Sequence, residues 1–242
     1  MFPLHDENRP SRKPLVNYML LAANIIVFFY FYLQGPYAFE EAIKRLGFYP
    51  IDFLRLRRLH TLLTSMFMHG DLMHLAGNML YLYIFGDNVE DAFGHGKYLP
   101  FYLACGLGAA IVHTFSILLM PSDLMYMALR VPAVGASGAI SGILGAYVVL
   151  YPLARIRTLV VYWTVTVVSI PAYYFIGFWF LYQLMMGVMA LRLPLGVAFW
   201  AHIGGFATGV LLVKLLRVRP RKRRRVVVVK FKPVTKYDYY YY

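Results

Sequence analysis

The 242 residues are 60% hydrophobic and only 14% charged, against about a quarter charged in ordinary soluble domains, and the mean hydropathy of +0.59 excludes a soluble globular enzyme. The single cysteine excludes an internal disulfide and a structural zinc site built on cysteines. Net charge is +13, but eleven of the 24 Lys and Arg residues stand at or after Lys214, so the excess is mostly a tail that follows an apolar stretch; this favours anionic lipid headgroups over nucleic acid as its partner.

In chain order, hydropathy gives six spans: about Val16 to Leu33, Leu72 to Phe85, Tyr98 to Leu119, Ala136 to Leu153, Ile170 to Met186, and Leu193 to Leu216. We read one all-α integral membrane domain over residues 16–216, with an N-terminal segment at 1–15 and a basic tail at 217–242. Arg9, Arg12 and Lys13 before the first span resemble a signal-peptide n-region. Phe28 to Leu33 is bulky where a cleavage site needs small residues, so a retained helix is expected. An even number of spans puts both termini on one side, and the positive-inside rule makes that side cytoplasmic. The first loop dissents with Lys44, Arg45, Arg55, Arg57 and Arg58. It is long and also carries Glu40, Glu41 and Asp52, so the tail outweighs it.

The second span opens at Gly70-Asp71, where Asp71 suits an N-cap. His74 and Asn78 then stand four apart, on one helix face, and a membrane helix has little reason to aim both at lipid. They serve either an interhelical hydrogen bond or a ligand or oxyanion site. In span three, Cys105 reads as core filler and His113 as structural. The β-branched stretch Thr158 to Ser169 fits either an interfacial segment or part of a span. Span five is dense in aromatics from Tyr173 to Tyr182, a pattern usual for lipid-facing or interfacial residues.

Span four begins with Val134-Gly135-Ala136-Ser137-Gly138, a loop turning into a helix with Ser137 in its first turn. Unpaired NH groups and the positive end of the helix dipole there could stabilise charge developing on an attacked carbonyl. By itself the motif fits close helix packing better than catalysis. Span six contains His202, followed by Gly205 and Gly209, a small-residue stripe whose natural partner is Gly138 and Gly142 on span four. If these helices touch, Ser137 and His202 meet, since both lie toward the outer ends of parallel spans. His74 and Asn78 share that depth.

A serine within reach of an imidazole is a nucleophile with a general base, the minimum for acyl transfer. Spans four and six hold no acidic residue, so the pair is a dyad without the carboxylate of a triad. A three-histidine metal site from His69, His74 and His202 is the rival, but no His-Glu-x-x-His motif supports it and no metal is expected.

These residues resemble the rhomboid intramembrane serine proteases over roughly Arg58 to Gly209. The resemblance rests on Thr64-Ser65-Met66-Phe67-Met68-His69-Gly70 leading to His74-Leu75-Ala76-Gly77-Asn78-Met79, on Phe85 to Glu90 with Gly94, on Gly135-Ala136-Ser137-Gly138, and on Ala201-His202 with Gly205 and Gly209. It implies a six-transmembrane-helix rhomboid-type bundle and a serine endopeptidase that needs no cofactor. Ser137 would be the nucleophile, His202 the base, and His74 and Asn78 oxyanion donors beside the Ser137 backbone NH. Substrates would be transmembrane proteins cut in or near their membrane segments. The expected location is a membrane, the bacterial inner (plasma) membrane, with the site facing the extracytoplasmic side. The alternative is a non-catalytic rhomboid-like protein that binds and escorts membrane helices. Two departures stand out: the first loop lacks the family's frequent Trp-Arg pair, and Ser141 stands where some members place an aromatic ring against the base.

Overall fold

A computed structural model describes residues 2–161, 163, 165–193 and 195–221; the tail beyond Arg221, on which the lipid-headgroup reading rests, lies outside the described residues. The chain is mostly helical. Its elements are β1 (Phe2–Asp6), α1 (Leu15–Tyr32), the loop helices α2 (Pro36–Leu46), α3 (Pro50–Leu54) and α4 (Thr61–Thr64), then α5 (Leu72–Phe93), α6 (His95–Ile117), α7 (Ser122–Ala128) and α8 (Ser137–Leu150), followed by β2 (Arg155–Val161), β3 (Val165–Pro171), α9 (Ala172–Ala190) and α10 (Phe199–Leu215).

Each of the six spans expected from hydropathy falls on one long helix: α1, α5, α6, α8, α9 and α10. Helices α1, α6 and α9 are long and apolar enough to cross a membrane, whereas α8 and α10 are shorter. Helix α5 runs past its expected end at Phe85 to Phe93, carrying Asp87, Glu90 and Asp91 with it. Hydropathy stops at the charges, but helix geometry does not. Asp71 caps α5 as expected, accepting from the His74 backbone N at 2.8 Å.

Helix α8 sits at the centre. Eleven of its 14 residues are buried, and a helix apolar all round belongs inside a bundle. Its last turns meet a core of Leu82, Phe85, Val89, Tyr98 and Tyr102, with Phe85 and Tyr147 edge to face at 5.0 Å. Helix α10 lies against α8 so closely that a Cβ on Gly205 would run into the carbonyl of Gly138, and one on Gly209 into that of Gly142. Cys105 fills the space beside Gly142.

At the end remote from Ser137, α5 holds the start of α1. The buried Glu90 carboxylate accepts from the backbone N of Val16 (3.0 Å) and Asn17 (2.7 Å). Those are donors that the first turn of α1 leaves unpaired, and Pro14 ahead of it has no side-chain cap to offer. Asn17 in turn donates to Leu82 O and accepts from the Tyr98 hydroxyl.

The same end carries a feature that the sequence left open. Of Thr158 to Ser169, residues 158–161 lie in β2 and 165–169 in β3, which pair antiparallel, and β1 from the N-terminal segment adds to them in the order β1-β2-β3. Ile156 and Thr158 face inward and are buried, while Arg155, Arg157 and Val161 face outward, a period-two pattern. The all-α bundle therefore carries a small sheet.

The first loop is anchored without a Trp-Arg pair. Arg58 donates to the carbonyls of Lys44 and Arg45 at the C-terminus of α2 and to Asp52 at 3.2 Å, and it lies 5.0 Å from the Tyr49 ring. A guanidinium suits the negative end of a helix. The loop is also tied to the segment before α8, through a bridge between Phe48 and Ala133 and a bond from Gly135 N to Ser65 O.

Candidate active site

Ser137 is the first residue of α8, reached from Gly135, whose φ of +127° only glycine adopts readily. Ala136 precedes it without a side-chain cap, so the backbone NH groups of the first turn remain available to a ligand. His202 stands in the first turn of α10. The close crossing of α8 and α10 brings the two side chains together: His202 Nε2 lies 3.0 Å from Ser137 Oγ.

His74 completes a third side. Its Nδ1 accepts from Gly70 N at 3.4 Å, which leaves the proton on Nε2. A Cβ built on Gly135 would lie 2.8 Å from His74 Nε2 and 3.6 Å from Ser137 Oγ. The two groups therefore border one small space above Gly135, kept open because that residue has no side chain. Asn78 is buried on the same face of α5, but its amide donates to the His74 carbonyl of its own helix at 2.8 Å. One amide hydrogen remains for another acceptor. Ser137, His202 and His74 thus meet, and Asn78 stands one turn behind.

Several neighbours escaped the sequence reading. Gln183, on α9 and buried, has its Oε1 2.9 Å from His202 Nδ1. It was findable: a lone amide in an otherwise apolar helix needs a partner as much as His74 and Asn78 do. Trp179 and Phe199 flank the His202 ring, with centroids 6.2 and 6.4 Å away. Part of the aromatic stripe on span five therefore faces the histidine instead of lipid. Ser141 is buried and bonds back to Ser137 O at 2.7 Å.

His69 lies in the loop before α5, edge to face with His74 at 5.2 Å. It is fully buried, and burial, reinforced by His74 and opposed by the Phe67 backbone, pushes its imidazole down to about 4. Among the described residues no group of three or more His, Cys, Asp or Glu side chains could hold a metal ion.

The Rhomboid domain family matches residues 56–219, which include every residue of the site. The chain belongs to the rhomboid family. The rhomboid protease GluP of Bacillus subtilis is 33% identical over 55% of this chain and 24% of its own length. RHOMBOID-like protein 4 of Arabidopsis thaliana is 33% identical over 66% of this chain and 34% of its own. The mitochondrial Rhomboid protein 1 of Saccharomyces cerevisiae is 28% identical over 80% of this chain and 51% of its own. The chain thus spans between about a quarter and about half the length of these relatives. As a rhomboid, it is an integral membrane protein.

Proposed function

We propose that this chain is an intramembrane serine endopeptidase that hydrolyses peptide bonds in or near transmembrane segments of other membrane proteins. The observation that carries the reading is the 3.0 Å approach of His202 Nε2 to Ser137 Oγ. Ser137 Oγ attacks the scissile carbonyl while His202 Nε2 takes the hydroxyl proton, so a C–O bond forms as the carbonyl electron pair moves onto oxygen. The Ser137 backbone NH, His74 Nε2 and Asn78 Nδ2 donate to that oxyanion. His202 then passes its proton to the leaving amine and the C–N bond breaks. A water, deprotonated by the same nitrogen, releases the acyl group and restores the serine.

Both terminal segments, residues 1–15 and 217–242, lie in the cytoplasm, with the basic tail against anionic headgroups. The site faces the extracytoplasmic side of a bacterial inner membrane. Gly138, Gly142, Gly205 and Gly209 serve helix packing, which makes the dyad possible.

Labelling of the detergent-purified protein with a fluorophosphonate probe tests the reaction class. The intact chain is expected to label, and Ser137→Ala and His202→Ala are not, while both variants stay folded. A chain that binds membrane helices yet neither labels nor cleaves them would be the escort protein instead.

A further inference from the structure

We propose that Gln183 is the positioning residue of the base, which makes the Ser137–His202 pair a Ser-His-Gln triad. The inference rests on the protease reading and deepens it. For His202 Nε2 to accept the serine proton, the neutral ring must carry its hydrogen on Nδ1. That N–H points into the bundle and needs an acceptor there, because a buried donor left unpaired is costly. The Gln183 amide oxygen, 2.9 Å away, is that acceptor. Asparagine and glutamine cannot be deprotonated, so the amide fixes the tautomer and ring orientation without adding a negative charge.

The alternative role is purely structural, an apolar helix hiding one polar side chain by bonding it to a neighbour. The geometry favours the positioning role. Gln183 stands on α9 and is buried, and its oxygen meets the ring nitrogen opposite to the one that meets Ser137. Trp179, one turn away on the same helix, faces the ring as well, so α9 supports the base twice. Any displacement of α9 that breaks the Gln183 bond also releases the tautomer. The active conformation of His202 therefore depends on where α9 lies.

Three measurements test this. In protein with 15N-labelled histidine, the His202 signals, identified by their loss in His202→Phe, should report the Nδ1-protonated tautomer, and Gln183→Leu should mix the tautomers. Gln183→Leu should lower kcat and the rate of fluorophosphonate labelling by about 10- to 100-fold, the worth of one hydrogen bond to a group that becomes charged, with KM nearly unchanged. Gln183→Glu can still accept from Nδ1, so it should retain activity and move the acid limb of the kcat/KM profile to higher pH, since a carboxylate makes the ring more basic. A role in stability alone would lower the melting temperature and leave tautomer, labelling rate and pH profile in place; that result, or an Nε2-protonated ring in the unaltered protein, overturns the proposal. If Gln183→Leu does not fold, the tautomer of the unaltered protein and the Gln183→Glu profile still decide. An unaltered protein that neither labels nor cleaves overturns the protease reading and this inference with it, whereas labelling that is indifferent to Gln183 overturns this inference alone.

Discussion

His202 Nε2 meets Ser137 Oγ at 3.0 Å across 65 residues of chain because Gly205 and Gly209 let α10 settle on the carbonyls of Gly138 and Gly142. The contact between the helices and the contact between the side chains are one arrangement seen at two depths. Gly205→Ala should therefore cost about 1 to 3 kcal/mol through overpacking and reduce turnover further by pushing His202 away from the serine. Gly77→Ala is the control, since a Cβ there has open space, and its melting temperature should be unchanged or higher. Full turnover per folded molecule in Gly205→Ala would separate the helix contact from the dyad.

His74 and Asn78 should be distinguishable from each other. An oxyanion donor acts mainly as the tetrahedral intermediate forms, so its loss falls on kcat more than on KM. His74→Ala should reduce kcat by about 10² to 10³, the usual cost of one such donor, with little change in melting temperature. Asn78 already donates to the His74 carbonyl, so Asn78→Ala should cost less. If both variants melt early and yet turn over normally per folded molecule, the pair holds helices together and does no catalysis.

Substrate access should run between α5 and α9. The two helices touch through Phe85 and Phe175, 6.2 Å apart, at the end remote from Ser137. Near the site they present exposed Leu72, Met73, Met185 and Met189 instead. Cysteines at Leu72 and Met189 joined by a bismaleimide should slow cleavage of a membrane substrate several-fold while leaving fluorophosphonate labelling largely intact. Undiminished cleavage in a fully crosslinked sample would rule out this route.

His69 makes the fold acid-sensitive. Its imidazole sits at about 4 in the folded protein, from an ordinary 6.5, so between those values the unfolded chain binds the extra proton. The His69 contribution to stability is therefore full above about pH 6.5 and is lost as pH drops toward about 4, by on the order of 1 to 3 kcal/mol. His69→Phe, which fills the same site without a titrating group, should flatten that limb of a melting-temperature profile measured from pH 7.5 to 4.5. An unchanged limb would show that His69 is not the group responsible for the acid loss.

Much of this was legible in the residues because a bilayer removes most of the alternatives. Where lipid surrounds a helix, each polar side chain must find a partner inside the protein, so Ser137, His202, His74 and Asn78 declare themselves by being polar in apolar segments. Gln183 made the same declaration and was passed over in a helix read by its aromatics. The sheet was harder. Thr158 to Ser169 is apolar and β-branched in either a hairpin or a span, and its partner strand Phe2–Asp6 lies some 150 residues away with no periodic signature of its own. The anchoring of the first loop was hidden too, since Arg58 looks like any loop charge until its carbonyl partners are known.

Sequence by itself determined the membrane class, the helix positions and the residue types on offer, because hydropathy, helical spacing and polarity are local properties. Only the tertiary structure decided which nitrogen of His202 meets the serine and which meets Gln183, that His74 Nε2 shares the space above Gly135 while Asn78 is held by its own helix, and that Glu90 secures the start of α1. Those outcomes depend on helix rotation and on contacts between segments tens of residues apart. The His202–Ser137 distance follows from the α8–α10 crossing, and no local pattern in the chain encodes it.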